Sequence, residues 1–144
     1  MKKMIIAAAM FVSMSAFANE TKVSPKVLNA FNTEFTSAQQ VEWTVSDEYY
    51  KASFDMNGTK VFAFYNLDGD LMGLTRNISS AQLPISLQAS LKKNYGNYWI
   101  SDLFEVANNN GTTYYVTLED GSQKIVLSSI NGTDWSKYKK ERKI

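Results

Sequence analysis

Histidine and cysteine are both absent from the 144 residues. Their absence removes Ser-His-Asp and Cys-His nucleophile systems, disulfides, lipid attachment through an N-terminal cysteine, and most zinc and transition-metal sites. Glycine is sparse at seven, and every glycine except Gly73 and Gly96 directly follows an Asn or Asp. These are turn signals, so no glycine-rich phosphate loop is present. Charge of one sign is not in excess: 15 basic residues face 14 acidic ones. Nothing in that balance suggests a global nucleic-acid or membrane field. No apolar run beyond residue 18 is long enough to cross a membrane as a helix. Runs such as Val61 to Tyr65 have the length of a strand.

The first eighteen residues read as an export leader rather than as part of the fold. Lys2 and Lys3 form a basic start, Met4 to Met14 an apolar stretch, and Ala16-Phe17-Ala18 a small-x-small cleavage site. Cleavage is expected before Asn19, leaving residues 19–144, enough for one domain with a core of its own. The flanks look bacterial, so the expected place is the periplasm or the cell exterior. Glycosylation sequons at Asn57, Asn77, Asn110 and Asn131 are discounted on that ground.

What the chain does have is a spaced set of Asx-Gly turns. They are Asn57-Gly58, Asp68-Gly69, Asp120-Gly121 and Asn131-Gly132. Such dipeptides suit two-residue type I′ hairpins, in which both central residues take positive φ. The second pair repeats the first, so the chain reads as two copies of one unit, at about 24–78 and 83–139. Each copy opens with a helix. Ser24-Pro25 supplies a cap and a proline start, and Val27, Phe31 and Phe35 then fall on one stripe, with Leu28 and Ala30 beside it. After Pro84, Leu87, Leu91 and Tyr95 repeat the spacing, with Gly96 as the stop. Alternating strands follow each helix: Val41 to Val45, Tyr50 to Asp55, Val61 to Tyr65 and Leu71 to Arg76. In the second copy they are Ile100 to Val106, Thr113 to Glu119, Gln123 to Ser129 and Thr133 to Tyr138. The expected fold class is α+β: two tandem repeats, each one helix packed on a four-stranded antiparallel sheet. The two sheets lie edge to edge or pair face to face.

Few residues invite chemistry. Asn66, Asp68 and Asp70 alternate like the start of a calcium loop, but strands flank them, and the twelfth position is Asn77 rather than a bidentate Glu. The carboxylate pairs Asp47-Glu48 and Glu119-Asp120 sit at strand ends, where solvated acids are ordinary. No catalytic residue, metal site or cofactor is therefore expected. The aromatics are more informative. Phe31, Phe35, Trp43, Tyr50, Phe54 and Tyr65 fall on inward faces. Phe62 and Phe64 point to the opposite face, shared with Tyr49, Lys51 and Ser53, and Tyr115 points outward in the second copy. Tyr49, Phe62, Phe64 and Tyr115 are the candidate partner-binding residues, on an apolar face that a second sheet or a dimer mate could equally cover. Tyr95, Tyr98 and Trp99 read as a loop plugging the core, and the basic run from Lys137 to Lys143 as a frayed, solvated tail.

The ordered pattern resembles a known family. Phe31-x-x-x-Phe35, Val41-Glu42-Trp43, Tyr49-Tyr50, the Asn57-Gly58 turn and an aromatic strand closing at Asp68-Gly69 are similar to the secreted PepSY-like proteins of Bacteroidetes, also called β-lactamase-inhibitor-like. Pro84 to Tyr95, Tyr114-Tyr115 and Asn131-Gly132 carry the likeness into the second copy. The resemblance implies an exported, non-enzymatic domain. The chain departs from the pattern at Asn108-Asn109-Asn110-Gly111 and Ser128-Ser129-Ile130. The expected function is a binding module that meets an envelope or extracellular protein through its outer sheet face, inhibitor-like in character. The alternative is a periplasmic carrier of a small apolar or glycan ligand.

Overall fold

The computed structural model describes residues 17–18 and 22–143. Residues 1–16 and 19–21 lie outside that range, and with them almost all of the expected leader and its cleavage site. The described residues divide into two compact units, one ending at Leu74 and the other beginning at Thr75.

The first unit holds β1 (Phe17–Ala18), α1 (Pro25–Glu34), β2 (Gln39–Val45), β3 (Tyr50–Met56), β4 (Thr59–Tyr65) and the start of β5 (Leu71–Asn77). The Ser24 hydroxyl oxygen accepts from the Val27 amide at 3.3 Å and satisfies one of the donors that a helix start leaves open. Val27 and Phe31 are the buried residues of α1, and Phe35 closes it by donating its amide to the Phe31 carbonyl at 2.9 Å. β2, β3 and β4 pair antiparallel, with Trp43 opposite Ala52 and Ala52 opposite Ala63. Both alanines are fully buried and leave room for the large rings of Phe31, Trp43 and Phe54 beneath α1.

The second unit holds the end of β5, a 3-10 turn (Ser80–Gln82), α2 (Ile85–Asn94), β6 (Trp99–Asn108), β7 (Gly111–Glu119), β8 (Gln123–Ser129) and β9 (Ser136–Arg142). Leu87 and Leu91 of α2 pack on Leu103, Val116, Leu118, Ile125 and Leu127. The Trp135 indole donates to the Leu87 carbonyl at 3.1 Å and ties the loop before β9 to the helix.

The fold differs from the expected pair of helix-on-four-strand repeats. The strands form one antiparallel sheet in the order β1 to β9, eight of them seven residues or longer and β1 only two. With two ten-residue α-helices among the described residues, the chain is mostly β. Main-chain pairing continues into the segment that follows β5. The Ile78 amide donates to the Leu103 carbonyl at 3.1 Å, just past the end of β5. Main-chain pairing of this kind leaves no mark on side-chain periodicity.

The turns also differ. Asn57 and Gly58 both take positive φ, +53° and +80°, as a type I′ turn requires. At the other three sites the Asx residue does not. A side-chain oxygen serves there instead: that of Asn66, two residues before Asp68, accepts from the Asp68 and Asp70 amides, that of Asp120 from the Ser122 and Gln123 amides, and that of Asn131 from the Thr133 and Asp134 amides. Gly111, at φ +117°, opens β7 after a further hairpin. The C-terminal basic run is strand, not tail. It pairs with β8 from Ser136 to Arg142, and the Lys143 ammonium then reaches Glu119 at 2.9 Å and the Asp120 carbonyl at 2.7 Å.

These turns separate two glycine substitutions. Gly58→Ala forces a side chain into left-handed backbone and is expected to lose about 1 kcal/mol or more in denaturant unfolding. Gly121→Ala, with open space around it and no positive φ, is expected to be neutral or to gain up to about 0.5 kcal/mol.

Candidate functional site

The face of the first unit turned away from α1 is built by alternation. Ala52, Phe54, Val61, Ala63 and Tyr65 point to the helix. The residues between them on β3 and β4 therefore point the other way. Cross-strand register sets them in rows: Thr44 beside Lys51 beside Phe64, and Glu42 beside Ser53 beside Phe62. Tyr49 joins them by a ring contact with Phe64 at 5.7 Å. The Lys51 ammonium lies 5.5 Å from the Phe62 ring centre. At the far end Asp55 and Lys60 pair at 3.2 Å.

Three of the four sequence-predicted residues, Tyr49, Phe62 and Phe64, thus share one face. Their exposure separates them. Phe64 is 1% exposed and belongs to the packing, whereas Tyr49 and Phe62 are half-buried and offer surface. Tyr115 lies in the second unit on the face turned away from α2, 8% exposed, stacked on Phe104 at 5.1 Å and edge-on to Tyr138 at 5.4 Å. It is packed between rings and presents little of itself.

Sequence reading singled out neither Thr44 nor Tyr138 for these faces. Thr44 is 3% exposed although it points away from the helix. Its place opposite Lys51 follows from the β2–β3 register, which the bulge between Gln39 and Glu42 shifts. Tyr138, at the end of the strand expected over Thr133 to Tyr138, reaches the Tyr115 ring from β9, which runs on through the segment that read as a tail. The loop aromatics Tyr95 and Tyr98 pack against the α2 core and meet each other at 5.8 Å. The Tyr98 hydroxyl accepts from the Gln123 side chain. Trp99 is 53% exposed under the Lys143 ammonium, 4.6 Å from its ring centre.

The electrostatics follow burial. Lys51 is held below the ordinary lysine value by desolvation. Burial raises the Tyr115 phenol, with Tyr138 adding to the shift, and burial raises Tyr65 further, with Glu34 contributing. Glu119 is held below the usual carboxylate value first by its hydrogen bond with Ser101 and then by Lys143. The acids Glu119 and Asp120 therefore serve an ion pair and a turn rather than a poised acid–base pair.

Solved structures share this architecture. A BLIP-like protein from Bacteroides fragilis superposes with a TM-score of 0.70 at 19% identity, over 83% of this chain and 85% of that one. The chain has the BLIP-like fold. A DUF2874 family protein from Bacteroides ovatus aligns at a TM-score of 0.73 and 19% identity, over 82% and 86% of the two chains. A protein from Bacteroides eggerthii, assigned provisionally to the periplasm, aligns at 0.72 and 13%, over 83% and 88%. At such identities the likeness is one of fold. It matches the β-lactamase-inhibitor-like side of the expected resemblance and does not show a PepSY relationship. No protein-family model and no curated protein matches the chain. Among the described residues no helix is long and apolar enough to cross a membrane.

Raised phenols make a pH prediction. Folding favours the neutral form of Tyr65 and Tyr115, so their contribution is complete below the unfolded tyrosine value of about 10 and fades as pH climbs toward their folded values. Chemical denaturation at rising alkaline pH is expected to show a falling midpoint. The double variant Tyr65→Phe, Tyr115→Phe is expected to flatten that fall.

Proposed function

We propose that this chain is an exported, non-enzymatic binding module that holds another protein on the sheet face turned away from α1. The observation that carries the reading is a face of two kinds of aromatic. Phe64 anchors it from within while Tyr49 and Phe62 stay half-exposed at its surface. Aromatic side chains backed by a packed layer are the residues that interfaces use as energetic anchors. The fold shared with a BLIP-like protein supports an inhibitor-like role, and the provisional periplasmic assignment of another neighbour fits an extracytoplasmic location. The leader over residues 1–18, with cleavage before Asn19, is part of the same proposal.

The burial of Phe64 decides which variants are informative. Phe64→Ser should lose about 3–5 kcal/mol of stability, as truncating a buried Phe does, and would report unfolding rather than binding. Tyr49→Ala with Phe62→Ala should stay within about 1–2 kcal/mol of the parent. The immobilised exported protein is expected to retain a specific envelope protein, and the Tyr49→Ala, Phe62→Ala variant is expected to lose it while keeping its circular dichroism spectrum. Equal retention by both would place the binding surface elsewhere.

A further inference from the structure

The outer face of the first unit carries one feature that aromatic anchoring does not explain. Lys51 stands on β3, between β2 and β4, flanked across the strands by Thr44 and Phe64, which are 3% and 1% exposed. Its ammonium lies against Phe62 rather than against an acid. Two acids share the face. Asp55 is taken by Lys60 at 3.2 Å, and Glu42 pairs in register with Ser53 and forms no ion pair with Lys51. Among the described residues no carboxylate comes within ion-pair distance of Lys51. A lysine in half-apolar surroundings loses hydration, and a nearby ring returns only part of it. Among the described residues this partly desolvated cation thus lies within an aromatic surface with no acid to neutralise it.

We propose that this face recognises a protein segment presenting an aspartate or glutamate flanked by apolar side chains, with the carboxylate received by Lys51 and the apolar flank by Tyr49 and Phe62. The inference rests on the protein-binding reading above and gives that partner its chemistry. Charge complementarity selects the occupant. An incoming carboxylate restores to the ammonium the interaction it lacks, in a place where water competes poorly. A polyanion or a membrane surface calls for a field of several cations, and among the described residues β3 and β4 add to Lys51 on this face only Lys60, already paired with Asp55. The lowered lysine value agrees with that geometry. A carboxylate beside it would push the value back up, because the charged form would then be favoured.

The test uses the exported protein with isotope-labelled lysine side chains, observed by NMR. The probe is the capped tripeptide acetyl-Phe-Asp-Phe-amide, with acetyl-Phe-Asn-Phe-amide as its neutral isostere. The aspartyl peptide is expected to raise the Lys51 titration midpoint, to move the Tyr49 and Phe62 ring signals, and to bind at least about ten-fold tighter than the asparaginyl one, as a charge pair worth about 1.4 kcal/mol would give. Lys51→Met should abolish that ten-fold preference, and Lys51→Arg should keep it. Equal binding of the two peptides, binding of neither, or an aspartyl preference that survives in Lys51→Met would overturn the carboxylate assignment. The envelope-retention assay keeps the two ideas apart. A partner lost by Tyr49→Ala, Phe62→Ala but kept by Lys51→Met leaves the face standing and removes the role of Lys51. A partner kept by all of these variants removes the face itself.

Discussion

Phe31 is in ring contact with Phe35, Trp43 and Phe54, at 5.3, 5.2 and 5.1 Å, the last two edge-on. The first unit depends on that cluster. One ring from the middle of α1 meets rings from β2 and β3, so helix and sheet are joined at a point where a shift of one strand residue would turn Trp43 or Phe54 out to water. Ala52 and Ala63 make the approach possible, since larger residues there would hold the helix away. Once these positions point to the helix, the parity of every neighbouring residue is set. Lys51, Ser53, Phe62 and Phe64 have only the other face to occupy. The proposed binding surface is therefore a consequence of how the core is packed.

The second unit solves the same problem with aliphatic residues. Leu87 and Leu91 of α2 meet Leu103, Val116, Leu118 and Leu127, and its aromatic cluster lies on the opposite face, where Phe104, Tyr115 and Tyr138 pack together. That difference explains why Tyr115 and Phe62, equivalent by alternation, differ in availability. Tyr115 has a ring on β6 and another on β9 beside it, and the half-buried Phe62 meets the lysine ammonium. Outward direction follows from the strand pattern, whereas exposure depends on which side chains the register brings alongside.

Much of the local structure was legible in the residues because it rests on short-range chemistry. Ser24-Pro25 caps and starts α1, Pro84 precedes α2, β8 spans Gln123–Ser129 as its alternation indicates, and Asn57-Gly58 makes the tight turn its residues favour. What was not legible rests on pairing between segments. The strand order from β1 to β9 in one sheet is a matter of main-chain pairing, which side-chain alternation does not record. The charge of Lys137, Lys139, Lys140 and Arg142 suggested solvated tail, but it belongs to β9, the last strand of the sheet. Charged side chains on such a strand hinder the addition of a further chain, which reconciles a strongly polar composition with strand structure. Glu119 and Asp120 were ambiguous for a similar reason, because their partner Lys143 is distant in sequence and arrives only when β9 folds back.

Lys51 brings the two requirements of the outer face into conflict. A leucine at that position would suit the neighbouring Phe64 and Thr44 and would remove the desolvation that the ammonium suffers. It would also join Tyr49 and Phe62 into a continuous apolar surface, which would accept a second copy or any apolar patch with little discrimination. One charge in the centre prevents that association, because a partner without a matching group must bury the ammonium unpaired. A few tenths to a few kcal/mol of lost stability is the scale of such a substitution in a fold of this size. The lysine is in this sense a selectivity element placed where the core has already determined which residues face outward. Its effect on discrimination exceeds its effect on affinity, since a matched carboxylate only regains what the folded chain gave up, whereas a mismatched partner incurs the whole penalty.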